Sequence, residues 1–84
     1  MVRGKVVIQG TNGIHLRPAG ELANEGMRHP CDIELIRDGK TVNGKSLLSI
    51  LSLGIQEGYE VEVVCDGKGE QEALDAYLKI LSGI

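Results

Sequence analysis

The sequence predicts an α+β protein: an open-faced two-layer sandwich in the order βαββαβα, with a four-stranded antiparallel sheet and three helices on one face. Three observations carry that expectation. In each candidate strand apolar residues alternate with polar ones, so each strand has one wet face. The segments between them repeat their apolar residues at three- and four-residue spacing, the period of a half-buried helix. The chain, at 84 residues, has room for one domain, residues 1–84, near the size where folding buries about 60% of the surface exposed by the unfolded chain.

Taken in order, residues 2–8 put Val2, Val6 and Ile8 on one parity and Arg3 and Lys5 on the other, which is strand one. Gly10-Thr11-Asn12-Gly13 breaks the alternation, and Leu16, Ala19, Leu22, Ala23 and Gly26 then define a helix over 16–27. Cys31, Ile33 and Leu35 face inward on strand two, 31–37. Asp38-Gly39 is a hairpin turn, because the primed turns need positive φ, and 40–43 is the return strand. Ser46 as N-cap and Gly54 as C-terminal cap bound a second helix of about two turns. Tyr59, Val61, Val63 and Cys65 mark the inner face of the last strand. A closing helix from Glu70 has Ala73, Leu74, Tyr77, Leu78 and Leu81 as its stripe, with acidic residues in the first turn where the dipole favours them.

A right-handed crossover through the first helix makes strands one and two parallel, with a gap between them that the last strand fills in antiparallel sense. That topology brings Cys31 and Cys65 near each other on the inner face. Without a CxxC spacing they read as buried free thiols.

Composition removes several function classes. A net charge of −3 has the wrong sign for a general nucleic-acid binder, and with only Tyr59 and Tyr77 as aromatics there is no base-stacking platform. No apolar run reaches the length of a membrane span and no secretory leader is visible, so no membrane partner and a cytoplasmic location are expected. The His and Cys spacings fit no finger-like metal site, and no metal or cofactor is expected. Paired carboxylates and a general base are missing, so the chain reads as a substrate for enzymes rather than an enzyme itself.

The chemistry concentrates at His15. It precedes Leu16-Arg17-Pro18, and proline is tolerated in a first helical turn because its missing N–H has no intrahelical partner there. An imidazole at a helix start lies beside unpaired amides and the positive end of the dipole, which disfavour the imidazolium and would hold a phosphate together with Arg17. The plainer alternative is a weak cap on a surface turn. His29, before Pro30 at the helix end, is read as structural.

Gly39-Lys40-Thr41-Val42-Asn43-Gly44-Lys45-Ser46 fits the phosphate-loop pattern G-x-x-x-x-G-K-[ST]. A hairpin with its return strand explains the same residues better, and strands this amphipathic do not build the doubly covered parallel sheet such loops need. Leu47, Leu48, Ile50, Leu51 and Leu53 cannot all face one core from so short a helix. If Leu47 and Leu51 project outward, they form a small docking patch; if loops cover them, they do not.

Two motifs resemble a known family. Gly13-Ile14-His15-Leu16-Arg17-Pro18-Ala19 is similar to the active-site signature, and Lys45-Ser46-Leu47-Leu48 with Ser52-Leu53-Gly54 to the regulatory-serine signature, of the histidine-containing phosphocarrier HPr of the bacterial phosphoenolpyruvate-dependent sugar phosphotransferase system. The resemblance implies that His15 takes phosphate on Nδ1 from phosphorylated enzyme I and passes it to the A domains of sugar-specific enzymes II, with Arg17 steadying the phosphoryl group. It further implies an HPr kinase acting on Ser46 and a catabolite-control regulator as partners in many Gram-positive relatives. The partner surface it implies comprises Leu16, Gly20 and Asn24 of the first helix and Leu47, Leu48 and Leu51 of the second, on a protein expected to be monomeric. Leu16, Gly44, Glu21, Asn24 and Met27 depart from common family residues, the last three by lowering positive charge on the first helix. The alternative function is a regulatory or nitrogen-related phosphorelay not dedicated to sugar transport.

Overall fold

A computed structural model describes all 84 residues. The elements are β1 (Val2–Val7), α1 (Leu16–Gly26), β2 (Asp32–Arg37), β3 (Lys40–Asn43), α2 (Leu47–Ser52), β4 (Glu60–Asp66) and α3 (Glu70–Ser82). The sheet runs β1-β4-β2-β3 with every neighbouring pair antiparallel, so β4 fills the gap between parallel β1 and β2 as expected. Register follows the alternation: Val61 lies opposite Val6, Val63 opposite Leu35, and Cys65 opposite both Val2 and Ile33. These inner residues meet Ala19 and Leu22 of α1, Ile50 of α2, and Ala73, Leu74, Tyr77 and Leu81 of α3 in one core.

The open face is less wet than alternation alone predicts. Val64 points away from the helices yet is only 4% exposed. It sits on the central strand with Arg3 opposite on one side and Glu34 on the other, and long charged side chains can cover an apolar neighbour with their stems.

The short elements survive through their ends. Asp38 and Gly39 take positive φ of 50° and 81°, and the hairpin brings Arg37 and Lys40 to the C-terminus of α2. Arg37 Nη1 donates to the Leu53 carbonyl at 3.3 Å and Lys40 Nζ to that of Ser52 at 3.1 Å. Cations are favoured there by the helix dipole and satisfy carbonyls that lack intrahelical partners. At the other end, Ser46 Oγ accepts from the Ser49 N–H at 3.3 Å, the expected N-cap.

Tyr77 ties three parts of the chain together. Its hydroxyl lies 2.7 Å from the Leu22 carbonyl of α1 and 2.8 Å from that of Gly44, just before the Ser46 cap. Gly26 makes the approach possible: a Cβ there would collide with the Tyr77 hydroxyl and the Lys45 stem. Burial pushes the phenol well above its ordinary range. Cys31 and Cys65 are buried and unbridged; burial first, then the neighbouring Cys31, pushes the Cys65 thiol up to about 11.

Tyr77→Phe keeps the ring and removes the hydroxyl, so urea unfolding at neutral pH should show a loss of about 1–2 kcal/mol. Because the folded phenol holds its proton to higher pH than the unfolded one, its contribution is whole below about pH 10 and falls as pH rises beyond. The variant's stability should therefore decline less steeply than wild type on that alkaline limb. A thiol–disulfide reagent near pH 8 should leave the native protein unmodified over minutes and titrate both cysteines in denaturant, since neither sulfur is accessible and Cys65 forms little thiolate.

Candidate functional site

His15 is the N-cap of α1, with extended backbone (φ −112°, ψ −167°) and no side-chain capping bond. Its ring is exposed, while its carbonyl accepts the Ala19 N–H at 3.0 Å and begins the helix. The next two amides, of Leu16 and Arg17, find no acceptor within the chain, and Pro18 has none to offer. An exposed imidazole thus stands beside two unpaired N–H groups at the positive end of a three-turn helix. That arrangement can receive an anion bonded to the ring.

The preceding loop is fixed by a segment distant in sequence. Ile14 buries its side chain in the core and donates its N–H to the Ile55 carbonyl at 3.0 Å. Gly13 adopts φ +61°, and a Cβ at that position would strike the Ile55 carbonyl and Gln56. The glycine is therefore required twice, by conformation and by space. The part played by Ile55 and Gln56 leaves no local signal in the sequence, because it arises only when the loop after α2 folds back against the loop after β1.

Arg17 is 87% exposed and turns along α1 toward Glu21, with Nε 3.8 Å from Oε1. Both residues line the same open depression as His15, about 810 Å³ in volume, which Lys79 of α3 also lines. Glu21 was not among the expected site residues, although an acid four positions after Arg17 on a helix is a legible ion-pair spacing.

The phosphate-loop alternative fails on geometry. Gly39 to Ser46 is laid out as a turn, a strand and a connecting loop rather than wrapped around one point. Lys45 Nζ is engaged with the His29 carbonyl at 2.6 Å, and its amide with Asn43 Oδ1 at 2.9 Å. His29 is structural, as expected, but through its ring: Nε2 lies 2.7 Å from Glu25 Oε2, one turn back, in a partly buried pair.

The sequence leaves open whether Leu47 and Leu51 project outward. Leu47 and Leu51 do not project outward; both pack half-buried against the core. With Ser46 as the cap, positions 47, 50 and 51 share the inward arc of α2, and Leu48, about 100° round from 47, is the one that stands free. Leu48 is 78% exposed and Leu16 is 65% exposed, on two helices that pack side by side. Gly20 and Asn24 continue the Leu16 row at four-residue spacing; Asn24 is exposed and Gly20 has open space over its Cα.

Comparison with known proteins agrees with this geometry. Residues 2–82 match the PTS-HPr family, described as the PTS HPr component phosphorylation site. The HPr-like protein Crh of Bacillus subtilis (strain 168) is 40% identical over 75 residues, covering 89% of this chain and 88% of that protein. The crystal structure of the phosphocarrier protein HPr from Bacillus anthracis superposes with a TM-score of 0.91 at 36% identity, covering 96% of each chain. The selenomethionyl crystal structure of Bacillus subtilis Crh, described as a dimer with a swapped domain, gives a TM-score of 0.72 at 38% identity over 98% of each chain. That dimeric relative runs against the monomer expected from the sequence. Family match, identity and shared architecture together establish that this chain belongs to the HPr phosphocarrier family.

Proposed function

We propose that the chain, acting as one unit over residues 1–84 in the cytoplasm, carries a phosphoryl group on His15 from phosphorylated enzyme I to the A domains of sugar-specific enzymes II. The observation that carries this reading is the exposed, uncapped His15 ring beside the unpaired amides of Leu16 and Arg17. In the transfer the Nδ1 lone pair attacks phosphorus, the bond from phosphorus to the donor breaks, and a new P–N bond forms. The two amides and the Arg17 guanidinium then face the added negative charge. Exposure suits the task, since two different active sites must reach the same ring in turn. Leu16 and Leu48 are the apolar contacts for those visitors, and Gly20 and Asn24 leave the α1 face low enough for close approach.

A regulatory reading also has support, because Crh, the 40%-identical relative, is named as an HPr-like protein rather than as a sugar-system carrier. On that reading Ser46 is the residue that matters. A phosphate there, placed by an ATP-dependent HPr kinase, would add nearly two negative charges beside Leu48 and alter what a catabolite-control regulator or enzyme I meets. The two readings separate by the chemistry of the product: phosphohistidine is acid-labile and phosphoserine acid-stable.

Incubation with phosphoenolpyruvate and enzyme I should give an acid-labile phosphate that His15→Ala abolishes and Ser46→Ala leaves in place. If only an acid-stable phosphate forms, and it depends on ATP and Ser46, the carrier reading fails and the regulatory one stands. Leu48→Asp, at an exposed position, should leave the melting temperature unchanged while raising KM for transfer from enzyme I about tenfold with little effect on kcat. An unchanged KM would remove Leu48 from the contact surface.

A further inference from the structure

We propose that Glu21 is a positioning residue that competes with phosphorylated His15 for the Arg17 guanidinium, and so sets how much phosphate the carrier holds at equilibrium. This rests on the carrier reading above and adds to it a residue outside both motifs.

In the unphosphorylated protein Arg17 makes no hydrogen bond to His15; its one carboxylate neighbour is Glu21, at 3.8 Å. The other acid on this side of α1, Glu25, is already engaged with His29 at 2.7 Å and with Arg28 at 3.9 Å. Helix stability does not explain the Arg17–Glu21 pair. With the cation in the first turn and the acid four residues toward the C-terminus, it runs opposite to the favourable i,i+4 order and against the dipole at the cation. Both side chains are more than half exposed, so the attraction is weak and readily exchanged. Such a pair can hold the guanidinium aside without locking it.

A phosphoryl group on His15 brings nearly two negative charges to the start of α1, and Arg17 must leave Glu21 to meet it. The Glu21 contact is then lost, and that loss counts against the phosphorylated state. Glu21 also lines the depression that holds His15 and Arg17, where its own charge faces the arriving anion. The proposal is the first of these two effects, which acts through Arg17, and the experiment separates it from the second.

Enzyme I, this protein and limiting phosphoenolpyruvate are brought to equilibrium, and the ratio of phosphorylated His15 to phosphorylated enzyme I is measured by quenching and separating the two proteins. Glu21→Gln should raise that ratio about twofold to fivefold, the range of an exposed ion pair. The gain should largely disappear in an Arg17→Ala background and shrink in about 0.5 M salt. Melting temperatures of the Glu21 variants should not change, and a merely structural role would not make the gain depend on Arg17. An unmoved ratio overturns the proposal. So does a gain that persists in full without Arg17, which would assign the effect to the field of Glu21 on the phosphate. If the wild-type protein takes no acid-labile phosphate, the carrier reading falls and this proposal with it; phosphorylation of wild type with an unmoved ratio removes Glu21 alone.

Discussion

The site depends on one close approach, that of the Gly13-Ile14 backbone to Ile55 and Gln56. One hydrogen bond, from the Ile14 N–H to the Ile55 carbonyl, and the absence of a side chain at Gly13 bring the loop down onto the segment after α2. Ile14 then plugs the core and its neighbour His15 is turned outward in extended conformation, from which α1 starts. Exposure of the ring and the presence of free amides beside it are thus two results of the same constraint. A loop free to lift would lose both, because the helix start and the imidazole would no longer share a fixed geometry.

Most of the architecture is legible in the residues because strand alternation and helical spacing are local, and the crossover rule then leaves few topologies. Val2, Val6, Val61, Val63, Ile33 and Leu35 face inward as their parity predicts. What is not legible depends on neighbours distant in sequence. Val64 is almost fully buried on the open face, between cross-strand partners Arg3 and Glu34 distant in sequence, and the hold of Arg37 and Lys40 on α2 exists only once the hairpin has folded beside it. The placing of Leu47 and Leu51, open in the sequence, has a similar origin. Which leucines of so short a helix turn outward depends on the phase at which the cap starts it, and a shift of one residue moves the exposed position by about 100°.

The placing of His15 and Ser46 at helix starts is visible in sequence because capping and first-turn chemistry are local. The orientation of Arg17 is not. A guanidinium beside a histidine in sequence invites the inference that it already faces the ring, whereas the nearest opposite charge lies one helical turn along. The family relationship narrows the chemistry without choosing between carrier and regulator, since a relative named as a phosphocarrier and one named for catabolite repression lie at comparable identity to this chain.

The six residues of α2 are too few to form a helix in isolation, and their stability is borrowed from a serine at one end and two basic side chains at the other. The apolar knob it displays at Leu48 is therefore present only when hairpin, cap and core are all in place. An unfinished or damaged chain would not display it. Were a partner to dock at this surface, as proposed above, recognition would double as an inspection of completeness, since nascent or unravelled copies would offer it nothing to grip.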